Sequence, residues 1–452
     1  MLNNKIKYSN LSFYFIVLCS ICGTFFLINW GSSHHPFKMD VDQYYSYLPT
    51  LFIEHDLTFS NNLHGYWLIE TPIHEVVPKV TYGMAFFYSP FYMLATIFSP
   101  ANSSGYEPLY AWTVHFGCIF YILLGIYFIK KILCFWFNEV VTAISLFILF
   151  FATNLFYYTL SESESVHGIL FFLISCFLYN VMQWHVKDSK TNFYIFSLIA
   201  GFICLIRPSE FIVLFFPLFI GVTSAVTLKE KLKQLASLKL HLIIGLILFL
   251  MPILPQLILW KIQSGQWFFF SYGTGEGFFW KDPQIANVLF SYRKGFFTYT
   301  PIMMLSIVGI GILYKKNKNL FLPILLYLLV NLYLISSWWD WAYGASFGMR
   351  ALVHTYVFMV IPLAYFVDWI LIKSKIKVLQ IAFYLVILFS CVLNVFQSNL
   401  YKHGIIDFDG MTKEAYWFTF FKKEYTQEDF EYLKTVIKHP NYVEMRLGNR
   451  EH

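Results

Sequence analysis

Two carboxylates, Asp40 and Asp42, stand within one helical turn of Tyr44, Tyr45 and Tyr47 in the stretch Lys38-Met-Asp-Val-Asp-Gln-Tyr-Tyr-Ser-Tyr-Leu-Pro49. A carboxylate so placed can take the proton from a hydroxyl as that hydroxyl attacks an electrophile. Either acid can equally cap a helix or sit solvated in a loop. The chain holds five arginines, Arg207, Arg293, Arg350, Arg446 and Arg450. A guanidinium is a fork that matches phosphate and carboxylate oxygens, so Arg207, Arg293 with its neighbour Lys294, and Arg350, each beside an apolar run, are candidate phosphate ligands. A base together with such cations is what transfer from a phosphate-linked lipid requires. The base takes the acceptor's proton, and the cations hold the charge that grows on the departing phosphate.

Other candidates lie in polar breaks between apolar runs. Ser161-Glu-Ser-Glu-Ser-Val-His167 offers Glu162, Glu164 and His167. Trp338-Trp-Asp-Trp-Ala-Tyr-Gly-Ala-Ser-Phe-Gly-Met-Arg350 offers Trp339 and Asp340 beside Arg350. Structural alternatives accompany each of these: a wet loop for the glutamates, a hydrogen-bonded core position for His167, pairing with Glu210 for Arg207, and an interfacial belt for the tryptophans. Gly273, Gly275 and Gly277 form a GxGxG pattern without the strand and helix that would make it a nucleotide site, so it reads as a loop.

The elements that must position these groups are membrane helices. Only 13% of the 452 residues are charged, 58% are hydrophobic and 21% aromatic, a balance of polytopic membrane proteins. The net charge of +6 is scattered beside apolar runs, a topogenic pattern that needs no nucleic-acid partner. The seven cysteines fall inside apolar runs and read as packing residues, neither disulfides nor zinc ligands. Lys5 and Lys7 precede a long apolar stretch with no cleavage site after it, which reads as a retained first span.

Stretches free of Asp, Glu, Lys and Arg predict about eleven spans: 11–30, 108–129, 140–160, 166–186, 191–206, 211–228, 240–260, 296–314, 319–338, 351–372, which tolerates Asp368, and 378–398. Arg207-Pro-Ser-Glu210 divides the run 191–228 into two spans. With the N-terminus cytoplasmic, the lysine clusters 130–131, 187–190, 229–239, 315–318 and 373–377 fall on the cytoplasmic side, and every arginine falls on the other. The predicted organisation is a membrane domain over 1–400, whose long first outer segment, 31–107, carries interfacial helices, and a small outer tail over 401–452. An amphipathic helix capped by Thr426 is expected at 425–438 in that tail.

Taken in order, the motifs resemble the GT-C superfamily of membrane glycosyltransferases, and within it the bacterial branch related to protein mannosyltransferases and lipid A aminoarabinose transferases. The resemblance rests on Asp40 with Tyr44, Tyr45, Tyr47 and Pro49; Tyr82-Gly-Met-Ala with Ser89-Pro-Phe; Glu162 to His167; Arg207-Pro-Ser; Ser291-Tyr-Arg-Lys-Gly with Thr300-Pro301; and Gly344 to Arg350. It covers about residues 11–398. It implies an all-α polytopic bundle of the cell inner membrane with its site on the periplasmic face. It also implies a polyprenyl-phosphate sugar donor, a glycan, lipid or protein acceptor, and membrane lipid as surroundings. Asp40 would be the base, with Asp42 second, and Arg350 with Arg207 or Arg293 would hold the donor phosphate. Tyr44, Tyr45, Glu162, His167, Trp339 and Asp340 are the candidate substrate contacts. The chain departs from the pattern at Val41, where relatives often carry Gly. A second acidic metal site has no clear counterpart, so a divalent cation is left open with Glu162 and Glu164 as its candidate ligands. A transporter or flippase of lipid-linked glycans is the alternative function. An acyl- or phosphoryl-transferring enzyme using His167 or His354 as base is a third.

Overall fold

The computed structural model describes residues 7–27, 37, 40–56, 58–59, 68–272, 275–420, 422 and 424–450. The readings placed on Lys5, Lys38, Gly273 and most of 28–39 lie outside these residues. The chain is predominantly helical, as a backbone with no water to bond must be in a membrane. Among the described residues a single two-stranded antiparallel sheet, Leu68–Glu70 on Val76–Pro78, interrupts the helices. It falls in the first loop, where only interfacial helices were expected.

Among the described residues, six helices are long and apolar enough to cross a membrane: Tyr8–Phe25, Pro108–Leu133, Val166–Lys187, Lys318–Ser337, Arg350–Lys373 and Lys377–Lys402. Each coincides with one of the predicted runs. The other predicted runs are shorter or broken. Helix Lys190–Ile206 stops where Arg207 turns extended, and Pro208 then opens a 3-10 helix, Pro208–Leu214, in place of a continuous span. The run 240–260 is divided at Pro252 into Lys239–Leu250 and Leu254–Ser264. In 140–160 the break at Thr153 and Asn154 separates Glu139–Phe151 from Leu155–Leu160.

The chain forms two compact units. The first holds Met1–Ile16, Leu133–Tyr157 and Gly275–His452; the second holds Val17–Ile132 and Tyr158–Thr274. In the second, Val166–Lys187 and Lys190–Ile206 form a hairpin whose tight turn puts Asp188 at φ 48°, with Ser189 capping the returning helix. In the first, Met304–Lys316 and Glu139–Phe151 pack on Tyr356–Asp368, every residue of which is buried except Asp368. The tail contributes Lys413–Phe420, Gln427–Val436 and Tyr442–Arg446. Gln427–Val436 begins with the expected Thr426 cap, closed reciprocally by Asp429 in a capping box.

Close helix contact in the first unit depends on Gly309. A Cβ there would collide with the backbone carbonyl of Pro362, whereas two residues on, a Cβ at Gly311 would meet nothing within 4 Å. Alanine has the better helix propensity, so sterics decide the sign. Gly309→Ala is expected to destabilise the protein by about 1–3 kcal/mol, the usual range for overpacking. Gly311→Ala should be neutral or slightly stabilising. Unfolding midpoints of the two variants in detergent check this, and equal midpoints would refute the packing argument.

Candidate functional site

In the second unit, helix Asp40–Phe52 opens with both predicted carboxylates in its first turn, near the partly positive end of the helix. Asp40 is exposed and Asp42 half-buried. The tyrosines that follow are core residues. Tyr45 is fully buried, stacked on Phe37 at 3.7 Å between ring centres, and its hydroxyl donates to the Gly105 carbonyl. Tyr44 is buried as well, and Tyr47 donates to the Val80 carbonyl at 2.8 Å. Their packing fixes the axis of the helix that presents Asp40 and Asp42. Burial, with the field of Asp42 as its largest electrostatic contribution, pushes the Tyr106 hydroxyl well above its ordinary value, so it stays a neutral donor.

The same helix walls an apolar cavity of about 460 Å³ with Gly83–Phe98 and Leu254–Ser264. Leu48, Ala85, Pro255 and Leu259 are among its lining. Leu51, Phe52, Phe86, Ile258 and Ile262, also in the lining, are exposed large apolar side chains. Such a mouth accepts a hydrocarbon chain far more readily than a polar ligand.

The acidic break 161–165 behaves differently from a wet loop. Glu164 is buried, and its carboxylate bonds Nδ1 of His115, a residue inside the apolar helix Pro108–Leu133. Ser163 Oγ also lies 3.0 Å from that same nitrogen. Both partners meet one ring nitrogen, so this is not a nucleophile relay, which needs one partner on each. Glu162 is half-buried, while His167 is buried with its ring 6.0 Å from that of Tyr158. Among the described residues no three His, Cys, Asp or Glu side chains converge as metal ligands would, and Glu162 and Glu164 form no such group. Arg207 Nε lies 3.9 Å from the buried Glu210 carboxylate, the local pairing weighed for it against a ligand role.

The other cations assemble in the first unit. The turn Ser291–Gly295 brings Arg293 and Lys294 against the loop 338–350. Arg293 is buried. Its Nε donates to the Asp409 main-chain oxygen at 2.7 Å and an Nη to the Asp409 carboxylate at 2.8 Å, with Asp340 at 3.9 Å and the Trp341 ring at 5.2 Å. Lys294 donates to the carbonyls of Ser346 and Phe408. Tyr343 and Gly344 both take the left-handed conformation, strained for the tyrosine and natural for the glycine. This reversal leaves a Gly344 Cβ position 3.8 Å from both the Arg350 guanidinium and the Asp340 carboxylate. Trp339 is 7% exposed, faced by the Arg446 guanidinium at 4.9 Å.

Asp409 was missed by the sequence reading, as was Tyr442, whose hydroxyl donates to the second Asp409 oxygen at 2.6 Å. The one available signal was the turn-like Asp407-Phe-Asp-Gly410, in which the Asp407 carboxylate accepts from the Asp409 N–H at 2.8 Å. No protein-family model matches the chain, and no curated protein matches it.

Burial raises the Asp340 carboxyl above its ordinary value against the pull of Arg293. Burial also pushes the Lys294 amine down to about 7; Asp409 opposes the shift, and Arg293 and Arg350 reinforce it. The sign for stability follows. Between about 7 and 10.5 the unfolded chain holds a proton on Lys294 that the folded chain has released, so this residue makes stability rise with pH across that window. Below it the contribution is constant and unfavourable. Lys294→Met should flatten the rise in unfolding midpoint between pH 7 and pH 10. An undiminished rise in the variant would assign the dependence elsewhere.

Proposed function

We propose that the chain is a glycosyltransferase of the GT-C kind, with about eleven membrane crossings, short and broken helices included. In this reading it lies in the cell inner membrane and moves a sugar from a polyprenyl-phosphate donor to an acceptor hydroxyl on the periplasmic side. Asp40 takes the proton of that hydroxyl as its oxygen attacks the anomeric carbon. The bond from that carbon to the phosphate oxygen breaks in the same displacement, with inversion, and the polyprenyl phosphate leaves as an anion. The resemblance assigns the leaving charge to Arg350 with a second cation among Arg207, Arg293 and Lys294, and Asp42 is the second choice as base. The observation that carries this reading is the packing of the turn 291–295, with Arg293 and Lys294, against the loop 338–350 that ends in Arg350, beside the end of helix Lys318–Ser337 and the start of Arg350–Lys373.

Two further features support it. The apolar cavity beside the Asp40 helix suits an isoprenoid chain. Acidic and basic groups also stand at helix ends, where a lipid headgroup meets water, and less often within the spans. One observation favours the second reading, a transporter of lipid-linked glycans: the buried His115–Glu164 pair at a candidate span, since intramembrane ionisable groups often mark translocation paths. Transport does not cleave the donor.

Purified protein given a polyprenyl-phosphate sugar and an acceptor should therefore release polyprenyl phosphate. Asp40→Asn should slow release roughly 10²–10⁴-fold, as expected for loss of a general base, with donor binding retained. Full activity in Asp40→Asn with loss in Asp42→Asn moves the base by two residues. Full activity in both variants ends this mechanism, and donor translocation without cleavage gives the transporter reading. Loss of activity on chelation, restored by a divalent ion, would add a metal to the reaction.

A further inference from the structure

We infer that the carboxylate of Asp409 is an internal stand-in for the phosphate of a ligand, so that the C-terminal segment 401–450 occludes the cationic cluster until that phosphate displaces it. The inference deepens the reading just given, since it concerns the same cations, and it supplies a built-in brake on them.

The geometry that points to it is the form of the Arg293 contact. One Nη meets a single Asp409 carboxylate oxygen at 2.8 Å, a position that a phosphate oxygen could take, while Nε holds the Asp409 main-chain oxygen at 2.7 Å. The occupant does not come from the surrounding helices. It sits on the turn 407–410 at the start of the tail, and Tyr442, also of the tail, holds its other oxygen.

The basic groups acting there are Arg293, Lys294, Arg350 and Arg450, and the acidic ones are Asp340, Asp407 and Asp409. Asp407 is already engaged by the N–H of Asp409, with His439 at 3.8 Å. Withdrawing Asp409 leaves a cationic excess that a phosphate would neutralise. A donor is also waiting for an acceptor: the buried Nε1–H of Trp339, whose ring lies 5.9 Å from that of Tyr442, has no hydrogen-bond partner among the described residues.

Release of Asp409 need not unfold the tail. Its far end has a separate anchor: Arg450, 1% exposed, donates to the carbonyls of Ser336 at 2.7 Å and Trp338 at 2.8 Å, while Trp341 Nε1 donates to the Arg450 carbonyl at 3.1 Å. The segment is thus held at one end by main-chain acceptors that no anion can replace. The other end is held through the main-chain oxygens of Phe408 and Asp409 and through the Asp409 carboxylate, and of these the carboxylate is the contact that an anion can replace.

The test uses the full chain in detergent, with inorganic phosphate and n-decyl phosphate as separate probes in titration calorimetry. Asp409→Asn is expected to bind phosphate about tenfold more tightly than the unaltered protein, since it removes a competing anion. Arg293→Gln in the same background should abolish the gain. In the unaltered protein, saturating phosphate should speed amide exchange over 403–412 and leave 447–450 protected. A gain with both probes identifies the phosphate itself as the ligand group, and a gain with decyl phosphate alone identifies a lipid headgroup. If Asp409→Asn fails to fold, Tyr442→Phe, which frees one oxygen of Asp409, should raise phosphate affinity several-fold. A purely structural bridge gives unchanged affinity in every folded variant and unchanged exchange over 403–412, which overturns the inference. Sugar transfer is not the readout, so a gain in phosphate binding without transfer retires the glycosyltransferase reading and keeps this one. Transfer without the gain does the reverse.

Discussion

A charge removed from water must find partners where it lies, and this requirement orders the polar parts of a chain that is otherwise apolar. Arg293 takes the main-chain oxygen and one carboxylate oxygen of Asp409, Lys294 takes two carbonyls from different segments, and Arg450 takes three more. Each of these contacts joins stretches far apart in sequence. The loop 338–350 and the tail are held in register by buried cations, with the apolar packing of side chains as the background. An uncompensated partner would be costly, since breaking a buried pair removes the attraction and leaves the desolvation in place. The ordering of the tail is therefore a consequence of where the basic residues sit.

The same logic governs the helix breaks. A membrane helix that stops early strands carbonyl and N–H groups that something must satisfy. At the break after Glu139–Phe151, Asn154 makes use of the interruption. Its amide donates to the Phe347 carbonyl at 3.2 Å and its oxygen accepts from the Tyr356 hydroxyl at 2.6 Å. Asn394, from the helix Lys377–Lys402, donates to the Phe151 carbonyl at 3.0 Å. The break thereby fixes the end of the loop that carries Arg350.

What could be read in the sequence divides along these lines. Charge-free runs gave the positions of the six long helices, Arg207-Pro208 marked a real helix end, and Thr426 a real cap, because each depends on residues close together in the chain. The Arg293–Asp409 pair is separated by 116 positions and the His115–Glu164 pair by 49, and nothing local to either residue announces its partner. The burial of Tyr45 was hidden for a related reason. A tyrosine beside an acid looks like a ligand group, and only the packing around it decides that its ring belongs to the core.

The carboxylates that could do chemistry sit in opposite surroundings, and that contrast sets the demands on any mechanism. Asp340 is buried and lifted toward the neutral form, but its oxygens already accept from the Ala342 N–H at 3.2 Å and face Arg293. A group so engaged orients its neighbours better than it accepts a proton. Asp40, by contrast, is exposed at the start of a helix. Water solvates it, and water competes for the position an acceptor hydroxyl would need. A base of this sort gains strength only when the seated substrates take the place of that water, which moves the control of reactivity from the carboxylate to whatever completes its surroundings. Burial of the residues from Gln43 to Thr50 behind it holds rigid the helix end that presents Asp40.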